Sequence, residues 1–292
     1  MKALLLGPNG QLGTDLMAAV AAGDYGDITL IPFGRDQLDV SDVAAIAPAL
    51  QAQAFDAVIN CTSYHKTDEV EDNADMGFKV NAFAVRRLAE VCAEKKARLV
   101  HVSTDYVFSG RERRTPYRED DGVGPLNVYG ASKACGENLA LIAHPDSIVL
   151  RVASLFGVAG ASGKGGNFVE TMIKVGRDRG ELKVVDDITM SPTATADIAW
   201  MILSLLTREA DGGIYHGVNS GQATWYQFAR QIIEQAGVKA TVAPCDSNAF
   251  PTKAQRPVYS VLDNSKLSGV IGAVPAWSDA LDRYLKIKGY KA

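Results

Sequence analysis

The sequence predicts an α/β protein with a Rossmann-type, doubly wound parallel sheet and a smaller C-terminal α/β substrate-binding lobe. Short apolar runs alternate with helical patterns through the first half of the 292 residues, as in parallel sheets buried on both faces. The alternation loosens after about residue 155. We therefore expect a dinucleotide-binding domain over residues 1–155 and a mainly substrate-binding lobe over 156–292, with segments around 182–220 returning to the first domain.

Composition narrows the classes of partner. A net charge of -4 and a pI near 5.6 argue against nucleic acid or an anionic membrane as the main partner. The four cysteines are scattered without a CxxC pair, which favours reduced thiols over disulfides or a metal site. No apolar run reaches membrane length, so the expected compartment is the cytoplasm. A homodimer is one compatible assembly, and the oligomeric state stays open.

The first strand and the turn after it predict a nucleotide site. The apolar run 3–6 precedes a GxxGxxG turn, and a helical pattern follows from about Thr14 to Ala22. Glycines allow a tight turn and a close approach of a pyrophosphate to the helix N-terminus. The residues expected to contact the cofactor here are Gly7, Gly10, Gln11, Leu12 and Gly13.

The end of the second strand, predicted over 28–33, bears on cofactor choice. Proteins that select NAD usually place a carboxylate here, but this chain has Gly34 and Arg35. A guanidinium can bind a 2′-phosphate bidentately, so NADP(H) is favoured and NAD(H) is the alternative. Asp39 either faces the adenine or caps a turn, and Ser41 is the expected N-cap of the next helix.

The third strand, predicted over 57–60, ends in the small residues Cys61, Thr62 and Ser63, which leave space for a ligand at the edge of the sheet. A long helix follows and carries Asn81 among apolar neighbours. We expect its amide to bind backbone groups that help to hold an active-site lysine, or to be a satisfied structural amide.

The fourth strand, predicted over 99–102, leads to Thr104, and the helix after the next loop begins near Tyr129 and Lys133. The four-residue spacing places the phenol and the amine on one helix face. An ammonium nearby should lower the pKa of the phenol, so that Tyr129 can give a proton to a substrate oxygen. Thr104 can donate a hydrogen bond to the same oxygen. The charged loop 111–125 between them could close over a substrate.

Later elements follow a looser pattern. A fifth strand is predicted over 148–152 and a Gly/Ala/Ser-rich loop over 157–167. Beyond them we expect helices over 168–177, 196–206, 224–236 and 277–287, and a strand over 182–185.

Taken together, the motifs make the chain similar to the extended short-chain dehydrogenase/reductase family, and most similar to its dTDP-4-dehydrorhamnose reductase group. The matching stretches cover nearly the whole chain: GPNGQLG (7–13), LDVSD (38–42), VSTDYVFSG (102–110), PLNVYGASKACGE (125–137), SPTATADIA (191–199) and RPVYSVLDNSKL (256–267). The resemblance implies an NAD(P)H-dependent reductase of a nucleotide-linked 4-keto-hexose, with Tyr129 as proton donor. The implied catalytic residues are Thr104, Tyr129 and Lys133, and Asn81, Tyr129 and Lys133 are also expected at the cofactor. The implied cofactor cleft comprises the 7–13 turn, Asp39, Val40, Cys61, Thr62, Ser63 and Tyr64, and the residues implied near the sugar nucleotide are Asp105, Tyr106 and Arg256.

Departures from the family pattern leave the sugar open. Ser154 stands where the family usually has a tryptophan that lines the sugar pocket, and Ile188 and Met190 are bulkier than the usual residues there. One alternative is an NAD-dependent epimerase or dehydratase, although Tyr106 follows Asp105 where a dehydratase would have a glutamate. A second alternative is a non-catalytic NADP-binding regulatory subunit on the same fold.

Overall fold

A computed structural model describes residues 1–23, 25–111, 113–160 and 166–291. The strands are β1 (Lys2–Leu6), β2 (Thr29–Phe33), β3 (Ala57–Asn60), β4 (Arg98–Thr104), β5 (Ile148–Val152), β6 (Leu155–Phe156), β7 (Glu181–Val185), β8 (Thr189–Met190), β9 (Thr193–Ala194), β10 (Gly213–His216), β11 (Ala223–Thr224) and β12 (Thr241–Cys245). The α-helices are α1 (Gln11–Ala21), α2 (Val43–Gln51), α3 (Thr67–Val70), α4 (Ala74–Phe78), α5 (Ala84–Lys95), α6 (Val128–Ala143), α7 (Phe168–Arg179), α8 (Thr195–Thr207), α9 (Trp225–Gln235), α10 (Ser265–Ile271) and α11 (Trp277–Ile287).

Six strands form a parallel sheet in the order β10-β5-β4-β3-β1-β2, which confirms the predicted fold class. Successive residues of β1 point to opposite faces, so Ala3 and Leu5 pack against α1 and α8 while Leu4 and Leu6 pack against α2 and α5. Strand order reverses at β1, which lies between β2 and β3. The carboxyl ends of β1 and β3 therefore flank the crevice where such sheets bind ligands.

The segments around 182–220, expected to return to the first domain, divide between the six-stranded sheet and separate two-stranded sheets. Helix α8 packs against α1, and β10 extends the sheet beside β5. Strand β7 instead pairs with β12 in a separate two-stranded sheet, under α7 and α9. The predicted strand at 182–185 is therefore real, but the partner that removes its backbone groups from water comes from the C-terminal part of the chain.

Two glycines set the position of α6. A Cβ at Gly130 would overlap the carbonyl oxygen of Tyr106, and a Cβ at Gly136 would overlap that of Asn81. The helix therefore lies directly on the backbone of the segment after β4 and on the π-helical turn Lys79–Phe83 between α4 and α5. Such π turns recur at functional sites, and this one carries Asn81.

Local boundaries differ from the predicted ones where side chains cap the helices. Asp42, and not Ser41, is the N-cap of α2, because its carboxylate accepts a hydrogen bond from the Ala45 amide. Thr224 caps α9 as predicted, in a reciprocal capping box with Gln227. Part of the predicted 157–167 loop, residues 161–165, lies outside the described residues. Within the described ranges, no helix is long and apolar enough to span a bilayer.

Candidate active site

The turn after β1 has the geometry of a phosphate-binding turn. Gly7 has a φ of 80°, a value that favours glycine, and a Cβ at Gly13 would overlap the Gly7 carbonyl oxygen. Gly10, the N-cap of α1, provides no side-chain cap, and the first turn carries no acidic residue. The free amides of the helix start therefore remain available to an anion. Gln11 Oε1 is buried without a hydrogen-bond partner, whereas the side chain of Leu12 is buried in the core.

Arg35 and Asp39, both expected at the cofactor, bind each other. The Arg35 Nε and Nη2 atoms lie 2.9 and 2.8 Å from Asp39 Oδ2. Asp39 Oδ1 accepts from the Ser41 amide, and this bond, with the arginine, lowers the pKa of the carboxyl group. Asp39 thus caps a turn. The Arg35 side chain is 83% exposed, and Val40 is buried between the sheet and its helices.

The loop after β3 adjoins the glycine turn and is fixed by Asn81. A Cβ added at Gly7 would lie at van der Waals contact distance from Cys61 and Thr62, so the glycine turn packs against this loop. The buried Asn81 amide accepts from Ser63 Oγ at 3.2 Å and from the Tyr64 amide at 2.9 Å. It donates to the Tyr64 carbonyl and, at 3.0 Å, to Ser132 on α6. Asn81 is therefore a satisfied amide that positions the loop, and its hydrogen bonds go to groups other than Lys133.

Tyr129 lies where hydroxyl groups from two strand ends meet. Burial raises the pKa of its phenol to about 12, and the hydroxyls of Thr104 and Ser63 oppose this rise. The expected lowering of this pKa by the Lys133 ammonium is not found, because Lys133 Nζ is turned toward other groups. The sequence predicts Ser63 only at the cofactor, and the structure adds its proximity to the Tyr129 phenol.

Lys133 is buried between α6 and the sheet. Its Nζ donates to the Val102 carbonyl at 2.6 Å and lies 3.1 Å from His101 Nε2. Burial lowers the pKa of Lys133 to about 8, while Glu137 and Cys61 act in the opposite direction. The amine therefore titrates closer to neutrality than an exposed lysine.

A buried ion pair lies one turn further along α6. Glu137 accepts from the Arg151 guanidinium, with an Nη2–Oε2 distance of 2.8 Å, and from the hydroxyl of Ser103. Both charged side chains are almost fully buried. No motif in the sequence indicates this pair, although Glu137 follows Lys133 by four residues, the spacing that places two side chains on one helix face.

Of the residues expected near the substrate, Tyr106 lies next to Tyr129, and Arg256 lies beside Tyr106. The ring of Tyr106 meets that of Tyr129 edge to face at 6.1 Å, and the Arg256 guanidinium lies 5.9 Å from the Tyr106 ring. Arg256 Nη1 is buried without a hydrogen-bond partner, and Nη2 donates to Asp68 at 2.9 Å. Asp68, which the sequence analysis missed, thus anchors the expected substrate-binding arginine.

Two further predicted substrate residues are placed differently. Asp105 is buried behind Thr104 and accepts its hydroxyl at 3.0 Å. Ser154 follows β5 in the left-handed region, with a φ of 45°, and its carbonyl accepts from the Thr193 amide. Its contact with a sugar stays a prediction.

The sheet order, the glycine turn and the tyrosine–lysine helix define the class of short-chain dehydrogenase/reductase oxidoreductases. Within that class the sequence identifies one family. A family profile described as the RmlD substrate binding domain matches residues 1–289, and the chain belongs to this family. The predicted family resemblance is confirmed.

Known members resemble the chain over nearly its full length. The dTDP-4-dehydrorhamnose reductase of Mycolicibacterium smegmatis is 36% identical over 281 residues, covering 95% of this chain and 83% of the relative. The crystal structure of a dTDP-4-dehydrorhamnose reductase from Clostridium acetobutylicum has a TM-score of 0.91 at 34% identity, covering 99% of this chain and all of the other. That of the Bacillus anthracis enzyme in complex with NADP has a TM-score of 0.89 at 33% identity, covering 98% and 99%.

Proposed function

We propose that this protein is an NADPH-dependent reductase that converts the C4 ketone of a dTDP-linked 4-keto-hexose to the alcohol. The observation that carries the proposal is the phenol of Tyr129, which is flanked by the hydroxyls of Thr104 and Ser63 at the ligand-binding edge of the sheet. Relatives named dTDP-4-dehydrorhamnose reductase, one of them solved with NADP, support the choice of substrate and cofactor.

Several features fit a dinucleotide. The 7–13 turn brings backbone amides and the start of α1 to one point, with no acidic side chain in the first helical turn to repel a pyrophosphate. Arg35 is exposed after the end of β2. Its guanidinium would release Asp39 and bind the 2′-phosphate in its place. Cys61–Tyr64 would line the nicotinamide side, next to Lys133, which would hold the ribose. Bound NADPH supplies the hydride that reduces the ketone.

The protein's own contribution is to the oxygen of that ketone. Tyr129 would donate its phenolic proton to this oxygen, and the Thr104 hydroxyl would turn from Asp105 to donate a hydrogen bond to it. The resulting phenolate is costly in a buried site, as its raised pKa indicates. The hydroxyl of Ser63 can rotate and donate to that phenolate, which lowers the cost.

Arg256 and Tyr106 would bind the nucleotide-linked part of the substrate. The unpartnered Nη1 of Arg256 is a buried cationic donor, and a diphosphate oxygen is the kind of acceptor that satisfies it. Asp68 holds the other nitrogen, so the guanidinium is already oriented.

The test is NADPH oxidation with dTDP-, UDP- and GDP-linked 4-keto-hexoses, followed at the nicotinamide absorbance band. We expect the dTDP sugar to be preferred. Tyr129→Phe should lower kcat by about 10²- to 10⁴-fold with NADPH binding unchanged. Tyr226→Phe, which removes a hydroxyl from α9 in the C-terminal part, is the matched control. Full activity in Tyr129→Phe would refute the assignment.

The same preparation separates the alternatives. An epimerase or dehydratase would release tightly held NAD on denaturation and would not consume NADPH. A regulatory subunit would bind NADPH tightly and leave every keto-sugar unreduced. Either result would overturn the proposed reductase.

A further inference from the structure

The polar side chains beneath α6 form a continuous chain of hydrogen bonds that ends at Lys133. Asn60 of β3 and His101 of β4 are opposite each other in the parallel register, and both are fully buried. Asn60 Nδ2 lies 3.1 Å from His101 Nδ1, and His101 Nε2 lies 3.1 Å from Lys133 Nζ. Each ring nitrogen of the histidine therefore has one partner.

The orientation of the Asn60 amide is fixed by its other contacts. Its Oδ1 accepts from the Thr62 amide at 3.1 Å and from the Thr62 hydroxyl at 2.6 Å. A flipped amide would place its NH₂ group against the backbone N–H of Thr62, which is a donor. Since Oδ1 faces Thr62, the group that faces His101 is the NH₂ donor.

This orientation determines the tautomer of His101. A donor at Asn60 requires Nδ1 to be the acceptor, so the proton of a neutral ring is on Nε2. The ring is neutral because burial places the pKa of His101 well below its ordinary value, and a charged Lys133 would lower it further. The Nε2–H group then points at Lys133 Nζ, where it needs a lone pair. An ammonium has none.

We propose that His101 is a positioning residue that favours the neutral amine of Lys133, because Asn60 holds the ring in the tautomer whose Nε2–H donates to that amine. Lys133 still donates to the Val102 carbonyl, so the neutral amine satisfies both contacts. Protonation of Lys133 would require His101 to change tautomer and to give up the bond from Asn60. The catalytic relevance of this proton rests on the proposed function, because Lys133 lies one helical turn from Tyr129, the proposed proton donor.

Other groups face Lys133 and act in the opposite direction. Glu137 on α6 and Cys61 after β3 both favour the charged amine. The effect of Glu137 is reduced because Arg151 of β5 neutralises its charge. Burial and the His101 N–H group therefore oppose Glu137 and Cys61, in agreement with a pKa for Lys133 of about 8.

The direct test is the tautomer of His101, read from long-range ¹H–¹⁵N correlations of ¹⁵N-histidine-labelled protein between about pH 6 and 9. His101→Gln identifies the signal among those of the four histidines. We expect a neutral ring with its proton on Nε2 in the wild type. A ring protonated on Nδ1, or on both nitrogens, would overturn the proposal whether or not the protein has reductase activity.

Asn60→Asp should exchange donors and acceptors along the hydrogen bonds from residue 60 through His101 to Lys133. A carboxylate keeps the acceptor for Thr62 and presents a second acceptor to His101, so the proton should move to Nδ1 and Nε2 should accept from an ammonium. The pKa of Lys133, followed through the ¹³Cε chemical shift of labelled lysine, should then rise by about one unit or more. Asn138→Asp, the same change at an exposed position of α6, should leave the His101 tautomer and the Lys133 pKa unchanged. An unchanged Lys133 pKa in a folded Asn60→Asp protein whose His101 tautomer has exchanged would refute the control of Lys133 by His101. A wild type with the expected tautomer but no reductase activity would refute the proposed function alone.

Discussion

The carboxyl group of Asp105 is buried directly behind the hydroxyl of Thr104. Burial raises its pKa to about 6 from 3.8, against the opposing effect of the hydroxyls of Ser260 and Thr104. Between about pH 4 and 6 the folded protein therefore binds a proton that the unfolded chain releases, so stability falls as pH rises through this window. At neutral pH the full cost of a buried carboxylate is present.

Replacement of Asp105 should relieve this cost. Asp105→Asn keeps an acceptor for Thr104, and we expect the free energy of unfolding at pH 7 to rise by on the order of 2 kcal/mol. The decrease in the free energy of unfolding between about pH 4 and 6, measured by urea titrations at a series of pH values, should be smaller in the variant than in the wild type. Asp120→Asn, at an exposed site, is the control. A variant less stable than the wild type at pH 7 would contradict this account.

Cofactor preference is a second property set at the scale of single residues. Asp39 neutralises Arg35, so a 2′-phosphate must compete with the carboxylate. Asp39→Asn should strengthen NADPH binding by about 1 kcal/mol, roughly fivefold, and leave NADH nearly unchanged. Arg35→Ala should weaken NADPH binding about tenfold. Fluorescence titration measures both, with Arg86→Ala as control, and equal effects on the two cofactors would exclude Arg35 as the phosphate ligand.

At the scale of elements, α6 presents a polar face to the sheet. Lys133 meets His101, and Glu137, four residues on, meets Ser103 and Arg151. Alternate residues of β4 face the same side, so His101 and Ser103 are aligned under the helix. The helix is thus held by directed polar contacts, which restrict its rotation and its sliding.

Loss of one partner of the buried pair should be severe. Glu137→Gln leaves the Arg151 guanidinium buried without a counter-charge, and we expect a loss of about 3–5 kcal/mol in the free energy of unfolding. The double variant Glu137→Gln with Arg151→Met should recover part of this loss. Glu90→Gln, which affects partly exposed ion pairs, should cost less than about 1 kcal/mol. Similar losses at positions 90 and 137 in urea titrations would disprove the role of burial.

Apolar runs predicted the strands of the sheet well, because β3 and β5 consist of buried residues with no alternation. They did not predict β10 or β12, which contain glycine, proline and polar residues and are strands through their partners. The link from Asn60 to His101 was equally invisible. It depends on the register of two strands separated by 41 residues, which no local pattern encodes.

At the scale of the whole molecule, the segment around Arg256 is attached to α3. Asp68 accepts from the Ala254 amide and from Arg256, and Asp72 pairs with Lys253. Family motifs placed Arg256 near the substrate, but its anchor on α3 was not predicted because the two stretches are 188 residues apart.

Removal of that anchor should affect binding more than chemistry. Asp68→Asn should raise KM for the sugar nucleotide by about tenfold with a smaller change in kcat, because Arg256 loses its orientation but does not contact the ketone. Hydrogen exchange at the Ala254 amide should accelerate. Asp72→Asn, which affects an exposed pair, is the control, and an unchanged KM in Asp68→Asn would rule out the anchoring role.

The two glycines within α6, Gly130 and Gly136, limit how this protein can diverge. At Gly130 and Gly136 the helix lies against backbone, and backbone cannot yield to a methyl group as a flexible side chain can. A displacement of about 1 Å at a reacting group is enough to cost roughly a hundredfold in rate. The Tyr129 phenol therefore cannot move far without loss of activity. Positions such as Ser154 lie in a separate loop after β5 and can change without moving α6. New substrates are thus more accessible to this scaffold than new chemistry.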